Sequence, residues 1–248
     1  MTGEATVGRS RPESLVSDAA VDPLPAGLFP PRVPLDGESV RLEPLDPRLH
    51  AADLYRASHE DERARSVWTY LWPAPFADAA AFAAWLRDGA AAADPLFYAI
   101  RDRATGRAAG MAAFMRIAPK DGVMEIGHIW FAPALQRTRA STEALWLMIR
   151  HAFDLGYRRV EWKCNALNAP SRAAALRLGF RFEGVFFRHM IIKGRNRDTA
   201  WYSMLAEEWP ARRAAFEAWL APENFDAQGR QHRSLGRPTD DAEGPPAV

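Results

Sequence analysis

The chain has 248 residues, 48% of them hydrophobic and 25% charged, enough to build one domain with a sizeable core and too apolar for an unfolded chain. A net charge of +1 argues against a general attraction to nucleic acid or to an anionic membrane. The single cysteine, Cys164, excludes a disulfide framework, and no signal-like segment or apolar run of about twenty residues is present, so the expectation is a soluble cytoplasmic protein.

In chain order, residues 1–37 are polar and interrupted by prolines, which predicts a disordered or loosely docked arm. Alternation over 39–45 predicts a strand, and Pro47 opens a short helix to about residue 58. Trp68, Tyr70, Trp72 and Phe76, interrupted by Pro73 and Pro75, form an aromatic loop that suits a core plug or one wall of a pocket. A helix follows from Asp78. The period then changes to two: 95–103 and 107–117 form a hairpin about Ala104-Thr105-Gly106, and 123–131 is a third strand after Lys120-Asp121-Gly122. A helix from Thr142 to about Asp154 ends at Gly156, a strand occupies 158–164, and a short helix from Ser171 stops at Gly179. Strands at 180–192 and 199–205, separated by Gly194-Arg195-Asn196, lead into a terminal helix at 207–220. The expected organisation is a domain at 38–206, a C-terminal helix at 207–225 and a disordered tail at 226–248. The fold class is mixed α/β (α+β), with helices covering a mostly antiparallel sheet and one parallel pair where a helix joins two strands.

The chemistry concentrates in residues 122–144, where a strand bearing Glu125 runs through a loop into a helix. The first N–H groups of a helix lack partners and face its positive dipole end, so this loop is an anion cradle downstream of a proton acceptor. That pairing suits a phosphorylated cofactor held beside a base. Glu125 sits among Met124, Ile126 and Ile129, where desolvation raises a carboxylate pKa, although pairing with an arginine such as Arg116 is an alternative. His128 is a rival base; strict alternation puts it on the opposite face of the sheet from Glu125 unless Gly127 marks a bulge. Arg188-His189 and Arg197-Asp198 either line a pocket or form structural pairs. Cys164 reads as a buried, inert thiol. No HExxH or paired CxxC motif suggests a metal, and GxGxxG and P-loop motifs are absent.

Four stretches carry a resemblance: EIGHIWFAP, QRTRASTEA, NAPSRAAALRLGF and EGVFFRH with GRNRDTAWYSML. In this order and spacing, over roughly two-thirds of the chain, they resemble the GCN5-related N-acetyltransferase superfamily, in the branch related to ribosomal-protein alanine acetyltransferases. The resemblance implies a central sheet splayed between its fourth and fifth strands, acetyl-CoA as co-substrate, no metal, and a primary amine as acceptor, on a protein N-terminus or a small molecule. It implies a monomer or homodimer that engages neither nucleic acid nor membrane.

By the same resemblance Glu125 is the base, with His128 as its rival, and Ser171 assists the leaving thiolate in place of the tyrosine that many members carry where Ala175 stands here. Pantetheine would run along Ile129, Trp130 and Phe131 and bond Asn168. The pyrophosphate would sit on Gln136, Arg137, Thr138, Arg139, Ala140, Ser141 and Thr142. Arg137 and Arg139 depart from the glycines of this loop, and their forked donors suit phosphate oxygens. A non-catalytic acyl-CoA-binding or protein-interaction module of the same fold is the alternative.

Overall fold

The computed structural model describes residues 21–236. Eight strands, β1 (Leu35–Asp36), β2 (Val40–Pro44), β3 (Leu96–Asp102), β4 (Ala108–Ala118), β5 (Val123–Phe131), β6 (Arg159–Asn165), β7 (Arg181–Ile192) and β8 (Arg195–Leu205), form one sheet in the order β1-β2-β3-β4-β5-β6-β8-β7. Among the described residues six α-helices accompany it: α1 (Pro47–His59), α2 (Glu62–Arg65), α3 (Ala79–Ala91), α4 (Arg139–Asp154), α5 (Ala169–Leu178) and α6 (Trp209–Leu220).

Caps explain most helix boundaries. Asp46 and Asp78 accept the N–H of Arg48 and Ala81 at the starts of α1 and α3, and Gly179, at φ +94°, closes α5 in a left-handed conformation that suits glycine.

The β5–β6 pairing is the parallel one, and it needs α4 as its crossover. Its register runs only from Val123↔Arg159 to Glu125↔Glu161. Beyond Glu125 the strands part, and the facing edges of 126–131 and 162–165 have no strand partner. Against β4 the register of β5 shifts between the Met111↔Trp130 and Ala113↔Gly127 pairs, and His128 adopts φ +50° there. This bulge bends the strand away from β6 as the splay begins.

The core has two layers. On one face α4 packs Leu145, Met148 and Ile149 among Phe114, Ile126 and Val160. On the other, Leu54 of α1, Phe82 and Leu86 of α3 and Trp68 cover Phe97, Met111 and Trp130. Each such buried side chain contributes about 1.5–3 kcal/mol.

In the aromatic loop Trp68 is core, whereas Trp72 is half exposed and the Tyr70 hydroxyl donates to the Leu167 carbonyl at 3.1 Å.

Several expectations need correction. The N-terminal arm was expected to be disordered or loosely docked as far as 37. Within its described part Leu28 is buried and accepts a short hydrogen bond from the Tyr157 hydroxyl, while β1 joins the sheet; residues 1–20 lie outside the described residues. The tail expected to be disordered from 226 is tied down as far as 236, where Leu235 is buried and the Asn224 side chain bonds the Arg233 backbone on both its N–H and C=O. α4 begins at Arg139, three residues before the expected Thr142, because Thr138 and Ser141 form a reciprocal capping box. The last hairpin turns on Lys193-Gly194 alone, both with positive φ as a tight two-residue turn requires, so β8 starts at Arg195.

α4 is anchored through Glu143, a buried carboxylate in its second turn. It accepts the backbone N–H groups of Glu38, Ser39 and Val40 at 2.8, 2.7 and 3.1 Å. A Cβ on Gly37 would lie 2.7 Å from the Glu143 carboxyl carbon, so the chain approaches this closely only because residue 37 is glycine.

Candidate active site

The site forms where β5 and β6 separate. Glu125 is 5% exposed at the last paired position. The Lys163 ammonium, carried by β6, lies 2.7 Å from its Oε2, and the Arg116 guanidinium is 3.7 Å away. The lysine contact is close but off the hydrogen-bonding direction, so Glu125 Oε2 and Lys163 Nζ are both buried without a directed hydrogen bond. Burial raises the Glu125 pKa above the ordinary carboxylate value, while Lys163 and Arg116 oppose the shift. Lys163 Nζ also rests 4.0 Å from the centre of the Trp201 ring.

His128 is brought to the same face as Glu125. Strict alternation separates the two, but the bulge adds a residue and turns the imidazole toward Phe97, 4.9 Å between ring centres, and Trp72, 6.1 Å. Burial pushes its pKa down to about 4, so it is neutral at pH 7 and weakly basic, not the well-matched base that an unperturbed imidazole would make.

Among the described residues, the non-glycine positions with positive φ are Arg116, His128, Arg137, Arg188 and Lys193. Arg116, His128 and Arg188 stand at bulges around the cleft, Lys193 is at the hairpin tip, and Arg137 opens the loop before α4. Such backbone strain gathers at functional sites. Asp94 holds the Arg116 bulge by accepting the N–H groups of Arg116 and Ile117 at 2.9 and 3.0 Å. Lys193 donates to the Trp68 carbonyl at 2.6 Å and so ties the β7–β8 hairpin to the aromatic loop above the cleft.

On the opposite face of β6, Ser171 Oγ accepts the indole N–H of Trp162 at 3.0 Å, so its own proton can be donated, with the Cys164 sulfur also within its reach. Asn168 is the N-cap of α5, its Oδ1 accepting the Ser171 N–H at 3.2 Å, so its amide is half committed to the fold. Cys164 is buried beside them and burial raises its pKa, as expected of an inert thiol. Of the strand residues expected along pantetheine, Ile129 and Phe131 pack toward α4, whereas Trp130 turns to the other layer against Trp68.

The loop expected to cradle an anion enters α4 with several of its groups already committed to the fold. The capping box occupies the Ser141 N–H, and the N–H groups of Arg139 and Ala140 have no helical acceptor behind them. Gln136 donates its side-chain amide to the Phe131 carbonyl at 2.9 Å and braces the loop. Arg139 does not face the cradle: its guanidinium binds the Leu220 carbonyl and, at 2.6 Å, the Glu38 carboxylate. Thr142 receives a hydrogen bond from Arg177. Arg137 remains exposed beside an open groove of about 690 Å³ that Arg103 and Thr138 also line.

The sequence reading missed Lys163, although the chain has only three lysines, at 120, 163 and 193, and two of them border this cleft. That scarcity was the available signal. No helix among the described residues is long and apolar enough to cross a membrane, and no group of three or more His, Cys, Asp or Glu among them could hold a metal.

Residues 39–181 match the acetyltransferase (GNAT) domain family. A GCN5-related N-acetyltransferase from Brucella melitensis is 50% identical, with a TM-score of 0.82 over 84% of this chain and 94% of that one. A GNAT-family protein from Chromobacterium violaceum is 42% identical, with a TM-score of 0.70 over 77% and 98%. The microcin C7 self-immunity acetyltransferase, solved with acetyl-CoA and AMP, shares the fold at 24% identity and a TM-score of 0.60, over 68% and 93%. No curated protein matches the sequence significantly. With a splayed sheet, a helix N-terminus beside the splay and these relatives, the chain belongs to the GNAT acetyltransferase family.

Proposed function

We propose that the protein transfers an acetyl group from acetyl-CoA directly to a primary amine, on a protein N-terminus or a small molecule. The observation that carries this reading is Glu125, buried at the mouth of the splay on the face opposite Ser171. Acetyl-CoA supplies the activated acyl carbon. Glu125 takes a proton from the acceptor ammonium, directly or through water, so that the nitrogen lone pair can form the new C–N bond. As the C–S bond breaks, the Ser171 hydroxyl can donate a hydrogen bond to the leaving thiolate. The unpaired β5 edge suits the amides of pantetheine, which add to it as a peptide adds to a sheet, and the Arg139 and Ala140 N–H groups suit the pyrophosphate. Phe186, Trp201 and Trp72 would border the acceptor.

Thiol release from acetyl-CoA against a panel of amines tests the reading. Acceptor-dependent release is expected; tight CoA binding without transfer to any amine would leave a non-catalytic module of this fold. Arg137→Gly probes the cradle. The backbone there already has φ +61°, so glycine relieves strain while adding unfolded-state entropy, and stability should change by less than about 1 kcal/mol. Loss of one charge-assisted contact to phosphate should raise the acetyl-CoA KM about tenfold. An unchanged KM would remove Arg137 from the phosphate site.

A further inference from the structure

Arg197 on β8 is 8% exposed, and its guanidinium makes no hydrogen bond or ion pair with any described residue; its Nε is buried and unpartnered. The adjacent Asp198 does not pair with it, because its carboxylate accepts the backbone N–H of Arg188 at 2.6 Å. Arginine cannot shed its proton to escape this position, as a buried lysine can. Burying a fixed positive charge that no carboxylate contacts is costly, Glu125 acting on it only through space, and the cost is recovered when an anion arrives.

The surroundings place that charge on the acceptor side of the cleft. Arg197 lies on the same face of β8 as Thr199 and Trp201, and Trp201 faces Lys163 in the β6 register. The Thr199 hydroxyl bonds His189 at 3.0 Å, and desolvation, with Arg197, Lys163 and Arg116 adding to it, holds the imidazole pKa below the ordinary value. Three cations therefore converge where Glu125 is the buried carboxylate, and Lys163 already lies against Glu125. A second ammonium on the acceptor would meet net repulsion. An anionic group would meet a desolvated guanidinium with its donors uncommitted.

We propose that the amine acceptor carries an anionic group, a carboxylate or a phosphate, which Arg197 receives while Glu125 takes the proton from its amine. The inference rests on the acetyl-transfer reading and adds the substrate class: an amphoteric amine rather than a polyamine.

The test compares matched acceptors in the thiol-release assay: β-alanine with β-alaninamide, O-phosphoethanolamine with ethanolamine, and putrescine. At least one anionic member should exceed its neutral counterpart tenfold or more in kcat/KM, its identity distinguishing carboxylate from phosphate, and putrescine should be poorest. Arg197→Met should abolish that preference by raising KM for the anionic amine alone, and Arg197→Lys should restore part of it. The melting temperature of Arg197→Met should hold or rise, since an unpartnered buried charge is removed; a structural arginine would instead lower it. Equal use of charged and neutral members, or an equal loss for both in Arg197→Met, overturns the proposal. If no amine is acetylated, the acetyl-transfer reading fails by itself. Calorimetric titration of β-alanine and O-phosphoethanolamine into CoA-saturated protein then decides: binding lost in Arg197→Met upholds the anion site, and binding absent from or identical in both proteins overturns it.

Discussion

Glu125→Gln is expected to lower kcat by roughly 10²–10⁴-fold, the usual worth of a positioned base, while leaving the acetyl-CoA KM near its starting value. Glutamine keeps the shape and an oxygen facing Lys163, which limits structural damage. The pH profile identifies the group responsible. A base works deprotonated, so the rate falls as pH drops through its pKa. For Glu125, raised by burial, that limb is displaced upward from the ordinary carboxylate value; for His128 it would lie at about 4. Loss of the higher limb in Glu125→Gln, with retention in His128→Ala, assigns the base to Glu125. An unchanged rate and profile in Glu125→Gln would sink the assignment. Stability carries the same sign. The native state holds this proton more tightly than the unfolded chain, so the Glu125 contribution is full below its unfolded pKa and is lost as pH rises through the native one. Melting temperature should therefore decline less steeply with rising pH over that window in Glu125→Gln.

The largest expected stability effect belongs to Glu143, far from the reacting atoms. Glu143→Ala leaves the N–H groups of Glu38, Ser39 and Val40 without their acceptor. An unsatisfied buried donor costs about 1–3 kcal/mol, and since the Val40 bond is buried and the other two partly so, a loss of roughly 2–4 kcal/mol is expected. In a chain of this size that lowers the melting temperature by on the order of 10 °C. Glu143→Gln keeps one accepting oxygen and should fall between. A Glu143→Ala melting curve superimposable on the parent would show that this junction contributes nothing.

What was legible in the sequence was local. Period-two alternation located β3 to β6, and Gly179 marked the end of α5, because those signals lie within a few residues of what they specify. The Glu125-to-Gln136 spacing and the Asn168-to-Ser171 motif drew attention to this region only through the family resemblance. The α4 start was misplaced because Thr138 was not recognised as its cap. Gly127 hinted at the bulge but could not say that His128 would turn to join Glu125; that follows from the register against β4. Lys163 against Glu125, Glu143 beneath residues 38–40 and the uncommitted Arg197 depend on contacts between distant segments, and no local pattern encodes them.

The parting of β5 from β6 has a mechanical consequence. Three residue pairs join the sheet's two halves at this point, and α4 lies across both, touching β1, β2 and β5 on one side and β6 and α6 on the other. The helix therefore works as an axle between two leaves of a book. Because its first turn lies beside the gutter where Glu125 sits, a load on that end of the helix would be carried to both leaves at once.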